Sequence, residues 1–427
     1  MIPFSPVHKY YYPDVKIEAT EFFIYNKPIV RDSENMLYSM VALDAPKNVE
    51  DIHSFGLKQV ETVLEKLANS GVDDYGKSWF PKLEGALKLD MDSSKLICWL
   101  GKVQEKIDGC YTLVELRQVI KRNELLLERY ESLANFERID ASIHTGRNGQ
   151  LLINLHKLYL ANIRSSIQSN ESINRLLKDL KHKRMFLSQD GTWIEKAISL
   201  VLYGLSLNQM EYLLVEHPDA AIKYENDIHR VLSDLSVDEF NIDGVFRKEF
   251  DVINEIFCLE ENLGISDCQQ CLPKGRDLLV GGSYVLNDFY SVYLEHKKIM
   301  GTSLEDMRAQ CKSNDNWDKK DFFIDALVHL PIFPVKTTYS LMLGGMLKGC
   351  EMMINFKVKS AKLRQLRVYL NIKSRNLDGE LVRVYLETES ERDLLTGFSF
   401  VYDDERNTLE FPVEVSNQYV RKFGMKL

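Results

Sequence analysis

No run of about 18 consecutive apolar residues occurs in the 427-residue chain, so no segment reads as a bilayer-spanning helix. A surplus of positive charge is missing too. The 54 Lys plus Arg stand against 63 Asp plus Glu, a formal net charge of −9. That balance argues against a dedicated nucleic-acid binder, which neutralises phosphates with a basic surface. Met1 to Asp14 lacks the charged and apolar blocks of a signal peptide. Seven cysteines are too few for a disulfide scaffold, and an odd number leaves at least one unpaired within a monomer.

Complete catalytic patterns are also missing. A serine hydrolase elbow needs glycine on both sides of the nucleophile, so that the chain can turn sharply and expose it. Three places begin that pattern without finishing it: Gly204-Leu205-Ser206 runs on to Asn208, Gly281-Gly282-Ser283 to Val285, and Gly397-Phe398-Ser399 to Val401. There is no glycine-rich phosphate loop and no His-Glu-x-x-His zinc helix. A lone histidine such as His156, within a helical rhythm, reads as structural or surface rather than as a ligand. Carboxylate pairs such as Glu211 and Glu216 carry no argument, because raised acidity constants depend on burial. No catalytic, cofactor-binding or metal-ligating residue is assigned, and no cofactor is expected.

What the chain has is helical rhythm. From Gln150 to His217 apolar residues recur at spacings near three and four, with short breaks at Asn170 and Gly191, which predicts consecutive antiparallel helices. Further helices are expected over Val49 to Asn69 and from Thr112. Others run from Ser236 through Phe257, Tyr284 to Ile299, Ser303 to Cys311, and Met352 to Lys373 after a glycine-interrupted apolar stretch. Thr112 with Glu115 and Ser236 with Glu239 are capping-box patterns, in which each side chain satisfies a free N–H at a helix start. Only the tail changes period: Phe398 to Tyr402 and Thr408 to Val413 flank Asp403 to Asn407 and predict a β-hairpin.

The reading is therefore all-α, a multi-helix antiparallel array, with a repeat-like superhelix still open, and a small C-terminal hairpin. Residues 1–45, rich in Tyr, Phe and Pro, are expected as an extended arm that docks on the body or meets a partner. Helical subdomains over 46–258 and 284–427 flank a long loop at 259–283.

Cys268-Gln269-Gln270-Cys271 has the spacing of a metal or redox pair, but a zinc site needs two more ligands, and only Cys258 and Cys311 are near in sequence. A small disulfide or inert thiols fit equally. Cys98 and Cys110 bracket a linker before Thr112, and a bond there would stabilise by roughly 3 kcal/mol in an oxidising compartment. Lys357, Lys359, Lys362, Arg364, Arg367, Lys373 and Arg375 are seven cations with no acid among them. They can form a solvated face neutralising acidic neighbours, meet an acidic protein, or lie on anionic lipid. Lys357, Lys362, Arg364, Arg367 and Arg375 are taken as the candidate partner-binding set.

Three stretches carry a family resemblance. Asn35 to Pro46 ends in Leu43-Asp44-Ala45-Pro46, Asn123 to Tyr130 follows the Cys98 and Cys110 pair, and Asp393 to Asp403 carries Thr396-Gly397. Together they resemble an uncharacterised group of proteobacterial envelope proteins with an N-terminal membrane anchor and a mostly helical periplasmic body. Leu394 and Ser399 stand where that group's terminal motif has prolines. The resemblance implies an anchor upstream of Met1, an oxidising periplasm and a Cys98–Cys110 disulfide, and it carries over no catalytic residue.

Two classes of function remain. One is a non-enzymatic protein-binding module of the bacterial envelope, for example an immunity protein neutralising a toxin delivered by type VI secretion, its partner presenting an acidic patch. The other is an envelope hydrolase with a non-standard acidic site. If the cations form a solvated face, Arg364→Glu with Arg367→Glu slows association at low salt and leaves the fold intact. Far-ultraviolet circular dichroism is expected to be strongly helical, and a sheet-dominated spectrum would reopen the hydrolase class.

Overall fold

The structure, a computed structural model, describes residues 16–23, 30–69, 83–100, 109–139, 149–257, 282–314, 333–394, 397–411 and 425–427. Within its helices the side chains of 64, 66–69, 97–98, 252–257, 282–286, 288, 312–314 and 333–348 are outside the description. The expected loop at 259–283, apart from its last two residues, and the cysteines at 258, 268 and 271 lie outside the described residues. The described elements are helices plus one small antiparallel sheet at the C-terminal end, the expected all-α class.

Helices α1 (Ile17–Phe23) and α2 (Met36–Val41) occupy part of the stretch expected as an extended arm. Proline limits their length rather than their existence, since both fit between Pro13, Pro28 and Pro46. The arm's aromatics dock as expected where they are described. Phe22 stacks on Tyr293 with ring centroids 4.0 Å apart, and Phe23 stacks on Phe250 at 4.6 Å. Helix α3 (Ile52–Asn69) then crosses α2 at Gly56, where a Cβ would fall 1.8 Å from the Tyr38 carbonyl oxygen. Only glycine permits that approach.

Thr112 and Glu115 form the expected capping box at the start of α4 (Leu113–Arg122), and α5 (Glu124–Ser132) follows. On α5 the buried Arg129 guanidinium donates to the carbonyls of Ala45 at 2.6 Å, Pro46 and Val49 at 3.1 Å, and Leu43 at 3.3 Å. The second resemblance motif thus clamps the Leu43 to Pro46 end of the first. Five fixed donors suit a crescent of carbonyls, and a lysine ammonium cannot span it.

The longest rhythm resolves into α6 (Gly149–Arg164), α7 (Asn170–Ser188) and α8 (Trp193–Glu216). Ser169 caps α7, and Thr192 with Glu195 forms a third capping box at α8. Helix α8 packs against α6 and α7 and buries most of its circumference, leaving a stripe through Ile194, Val201 and Asn208 exposed. A helix this apolar belongs in a core. It is the one described helix long and apolar enough to cross a membrane, yet 61% of its most apolar window is buried inside the fold.

The Ser236–Glu239 capping box forms, but it opens only the short helix Val237–Phe240. Asn241 then takes a left-handed conformation with φ 51°, and the helix expected through Phe257 starts afresh as α9 (Ile242–Phe257). Next come α10 (Gly282–Met300), α11 (Leu304–Asn314), α12 (Phe333–Ser374) and α13 (Gly379–Thr388). Helix α12 runs unbroken through the glycines read as interruptions. Gly349 has a packing reason: a Cβ there would sit 2.7 Å from the Trp193 ring. Cys311 on α11 and Cys350 on α12 form a disulfide with Cα atoms 5.8 Å apart. Closing a loop with a sequence separation of 39 stabilises by about 4 kcal/mol in the chain-entropy account.

The expected hairpin pairs β1 (Val401–Asp403) with β2 (Thr408–Glu410), and β3 (Met425–Lys426) adds an unforeseen third strand through Leu409 and Met425. One buried apolar cluster includes Ala19, Leu213, Leu366 and Met425. The core is continuous across the division expected between the two helical subdomains.

Gly349→Ala is expected to lose about 1–3 kcal/mol by overpacking against Trp193, read as a lower urea midpoint at unchanged m. Arg129→Lys is expected to unfold earlier than wild type, because the ammonium leaves carbonyls unpaired. A melting temperature equal to wild type in either variant would show that the contact is dispensable.

Candidate functional site

Four cations of the basic stretch on α12 meet acidic neighbours, one of the outcomes expected of them. Lys362 and Arg367 are buried, however, and Lys357, Lys359, Arg364 and Lys373 half-buried, so the stretch is not the solvated face also expected. Arg364 grips Asp234 with Nε at 3.0 Å and Nη2 at 2.5 Å, and its Nη1 donates to the Arg392 carbonyl. Arg367 reaches Glu391 through Nε at 2.9 Å, Asp234 through Nη2 at 2.6 Å, and the Leu232 carbonyl. Lys362, 3% exposed, lies 3.1 Å from Glu211 and donates to Gln365. Lys357 donates to the Thr302 carbonyl. Of the five candidate partner-binding cations, only Arg375 is exposed, and it pairs with Glu389 at 2.6 Å. The neutralising acids come from other elements, which a run of cations in sequence does not reveal.

Asp234 stays below the usual carboxylate range although burial acts to raise it, because Arg364 and Arg367 both bond to it. Removing one partner of such a cluster strands the other charge, and because Asp234 and Glu391 are each more than a third exposed the cost is about 1–3 kcal/mol rather than that of a fully buried pair. The double substitution expected to spare the fold would instead put carboxylates beside Asp234 and Glu391.

A second polar cluster lies where α5, α6, α7 and α8 meet. His156, fully buried, has Nδ1 2.7 Å from the Tyr130 hydroxyl and Nε2 3.0 Å from the Leu202 carbonyl. A carbonyl only accepts, so Nε2 carries the proton and Nδ1 accepts from Tyr130. Ser206 donates to Asp179 at 2.5 Å, and Lys183 lies 3.4 Å from the same carboxylate. Burial pushes His156 down to about 4 and His182 down to about 3, with the Lys183 charge adding to both. Burial would raise the Asp179 carboxyl, but Lys183, His156 and Ser206 hold it low.

These are the residue types of a serine, histidine and aspartate relay, in a different arrangement. Ser206 Oγ lies 3.1 Å from His156 Nε2, but the serine donates its hydrogen bond to the Asp179 carboxylate. The imidazole Nε2–H points at the Leu202 carbonyl and the serine oxygen, so that nitrogen is a donor rather than the acceptor a relay needs. Gly204-Leu205-Ser206 is mid-helix, not an elbow. His156 is buried rather than on the surface, and both of its ring nitrogens are bonded within the fold.

A buried carboxylate pair sits at the start of α8. Glu249 accepts the Trp193 N–H at 2.8 Å, while Glu195 accepts the Thr192 N–H at 2.8 Å. Burial pushes Glu249 up to about 7, with Glu195 adding to it. Sequence reasoning missed this pair because the two residues meet only in the fold. Thr192-x-x-Glu195 was the available signal for half of it.

Cys110 is disulfide-bonded, and the Cys98 side chain lies outside the described residues. Cys311, a candidate zinc ligand by proximity in sequence, is bonded to Cys350. Among the described residues no group of three or more His, Cys, Asp or Glu is placed to hold a metal ion.

Two outcomes follow. Arg367→Glu is expected to cost about 1–3 kcal/mol in urea denaturation, with partial recovery on adding Glu391→Arg. For the buried histidines, the unfolded chain takes up protons near pH 6.5 and the folded one only near 4, so stability falls as pH drops through that window. His156 alone contributes about 3 kcal/mol of that loss, and His156→Gln should flatten the slope. A slope unchanged in the variant would remove His156 as the cause.

No family model, curated protein or solved structure matches this chain.

Proposed function

We propose that this chain is a non-enzymatic protein-binding module of a bacterial envelope. The observation that carries the reading is the closure of its central network. Tyr130, His156, Asp179, Lys183 and Ser206 bond to one another inside packed helices, where a substrate has no approach, whereas an enzyme needs perturbed groups converging on an open pocket. Glu195 and Glu249, the acidic pair nearest to a hydrolase site, are both buried and both hold N–H groups at the start of α8.

The Cys311–Cys350 bond supports an oxidising compartment, since disulfides persist there and are rare in reducing cytosol. Four of the α12 cations are paired to carboxylates of this chain and offer no free basic face, and the chain as a whole keeps its surplus of 63 acids over 54 Lys plus Arg. A partner with a basic surface therefore fits this chain better than the acidic one expected from the cation run. An immunity protein holding a secreted toxin is one specific version of the reading.

The test is capture from envelope extracts of the source cell, followed by binding of the purified partner to the full chain. Saturable one-to-one binding whose association rate falls with salt supports the proposal. Hydrolysis of peptide, glycan or lipid substrates by the purified chain, lost in Glu249→Gln, would overturn it.

A further inference from the structure

We propose that Lys359 is a nucleophilic amine, seated on the backbone of α8, that is acylated by small activated acyl donors such as acyl phosphates or thioesters. Among the described residues, six of the seven cations from Lys357 to Arg375 have a partner. Lys357 has a carbonyl, Lys362, Arg364, Arg367 and Arg375 have carboxylates, and Lys373 lies over the Tyr369 ring. Lys359 has none of these. Its half-buried side chain runs to Gly204 instead, where a Cβ would lie 2.5 Å from Nζ and 3.2 Å from Cε.

Gly204 is the only glycine of α8. Glycine is unfavourable inside a helix, and here its missing side chain leaves the seat that the lysine head occupies. An ammonium on that seat gains no ion pair to offset its loss of water. Burial alone therefore pushes the amine down to about 8, with no nearby charge acting on it. A desolvated lysine of this kind carries far more of the uncharged, nucleophilic form near neutral pH than an exposed one.

The chemistry balances without any redox partner. The Nζ lone pair attacks the acyl carbon, the C–N bond forms, and the phosphate or thiolate leaves with the electrons of the broken bond. The surplus amine proton goes to water. The product is a neutral amide, so the seat no longer holds an unpaired cation.

The test incubates the full chain with acetyl phosphate at pH 7.5 and measures acetylation at each lysine by peptide mass mapping. Lys359 is expected to react about ten times faster than the exposed Lys58 and Lys181, with a rate that levels off above pH 8. Gly204→Ala fills the seat with a methyl group, pushes the flexible lysine head into water and should abolish the excess rate. Helix propensity favours alanine there, so the variant keeps its fold. Lys359 reacting no faster than Lys58 and Lys181, or an excess that survives in Gly204→Ala, would overturn the proposal.

Discussion

Helix α8 is buried on every side but one, a stripe through Ile194, Val201 and Asn208, and that burial governs the polar chemistry around it. With α6 and α7 beside it and α12 packed along it, a polar group on the buried side of α8 loses its water and is stabilised by a partner inside the protein. Ser206 does so through Asp179, Glu211 through Lys362, and Glu195 through the N–H of Thr192. Each of these bonds joins α8 to a neighbouring element or to its own first turn.

The same constraint explains α12. Val358, Ala361, Leu363, Leu366, Val368 and Leu370 are buried on several sides of that helix, so its cations have little solvent to face. Desolvating a guanidinium is tolerable only with carboxylates on its own donors, and Asp234 and Glu391 supply them to Arg364 and Arg367. Lys359 is the exception, tolerated because a lysine can lose its proton where an arginine cannot. Away from α8 the ties are of other kinds. Arg129 holds the Leu43 to Val49 backbone, and the Cys311–Cys350 bond ties α11 to α12.

Local features were legible in the sequence wherever one short stretch holds the whole cause. The capping boxes at Thr112 and Ser236 need only residues three apart, and both form. The hairpin around Asp403 to Asn407 also follows from a local change of period. Errors arose where a local cue met a distant partner. The glycines of α12 looked like breaks until Trp193 was seen to need Gly349, and the helix expected from Ser236 to Phe257 was cut by the left-handed Asn241.

By itself the sequence determined the helical class, the three central helices and the tail hairpin, because backbone propensity and apolar spacing act over a few residues. Only the tertiary structure decided that Lys362 and Arg367 of the basic stretch are buried, that Ser206 and His156 are bonded inside the core, and that Glu195 meets Glu249. Charge and acidity depend on which groups a fold brings within a few ångströms and how much water it removes. Asp234 and Arg367, 133 positions apart, meet at 2.6 Å, and no periodicity along the chain encodes that encounter.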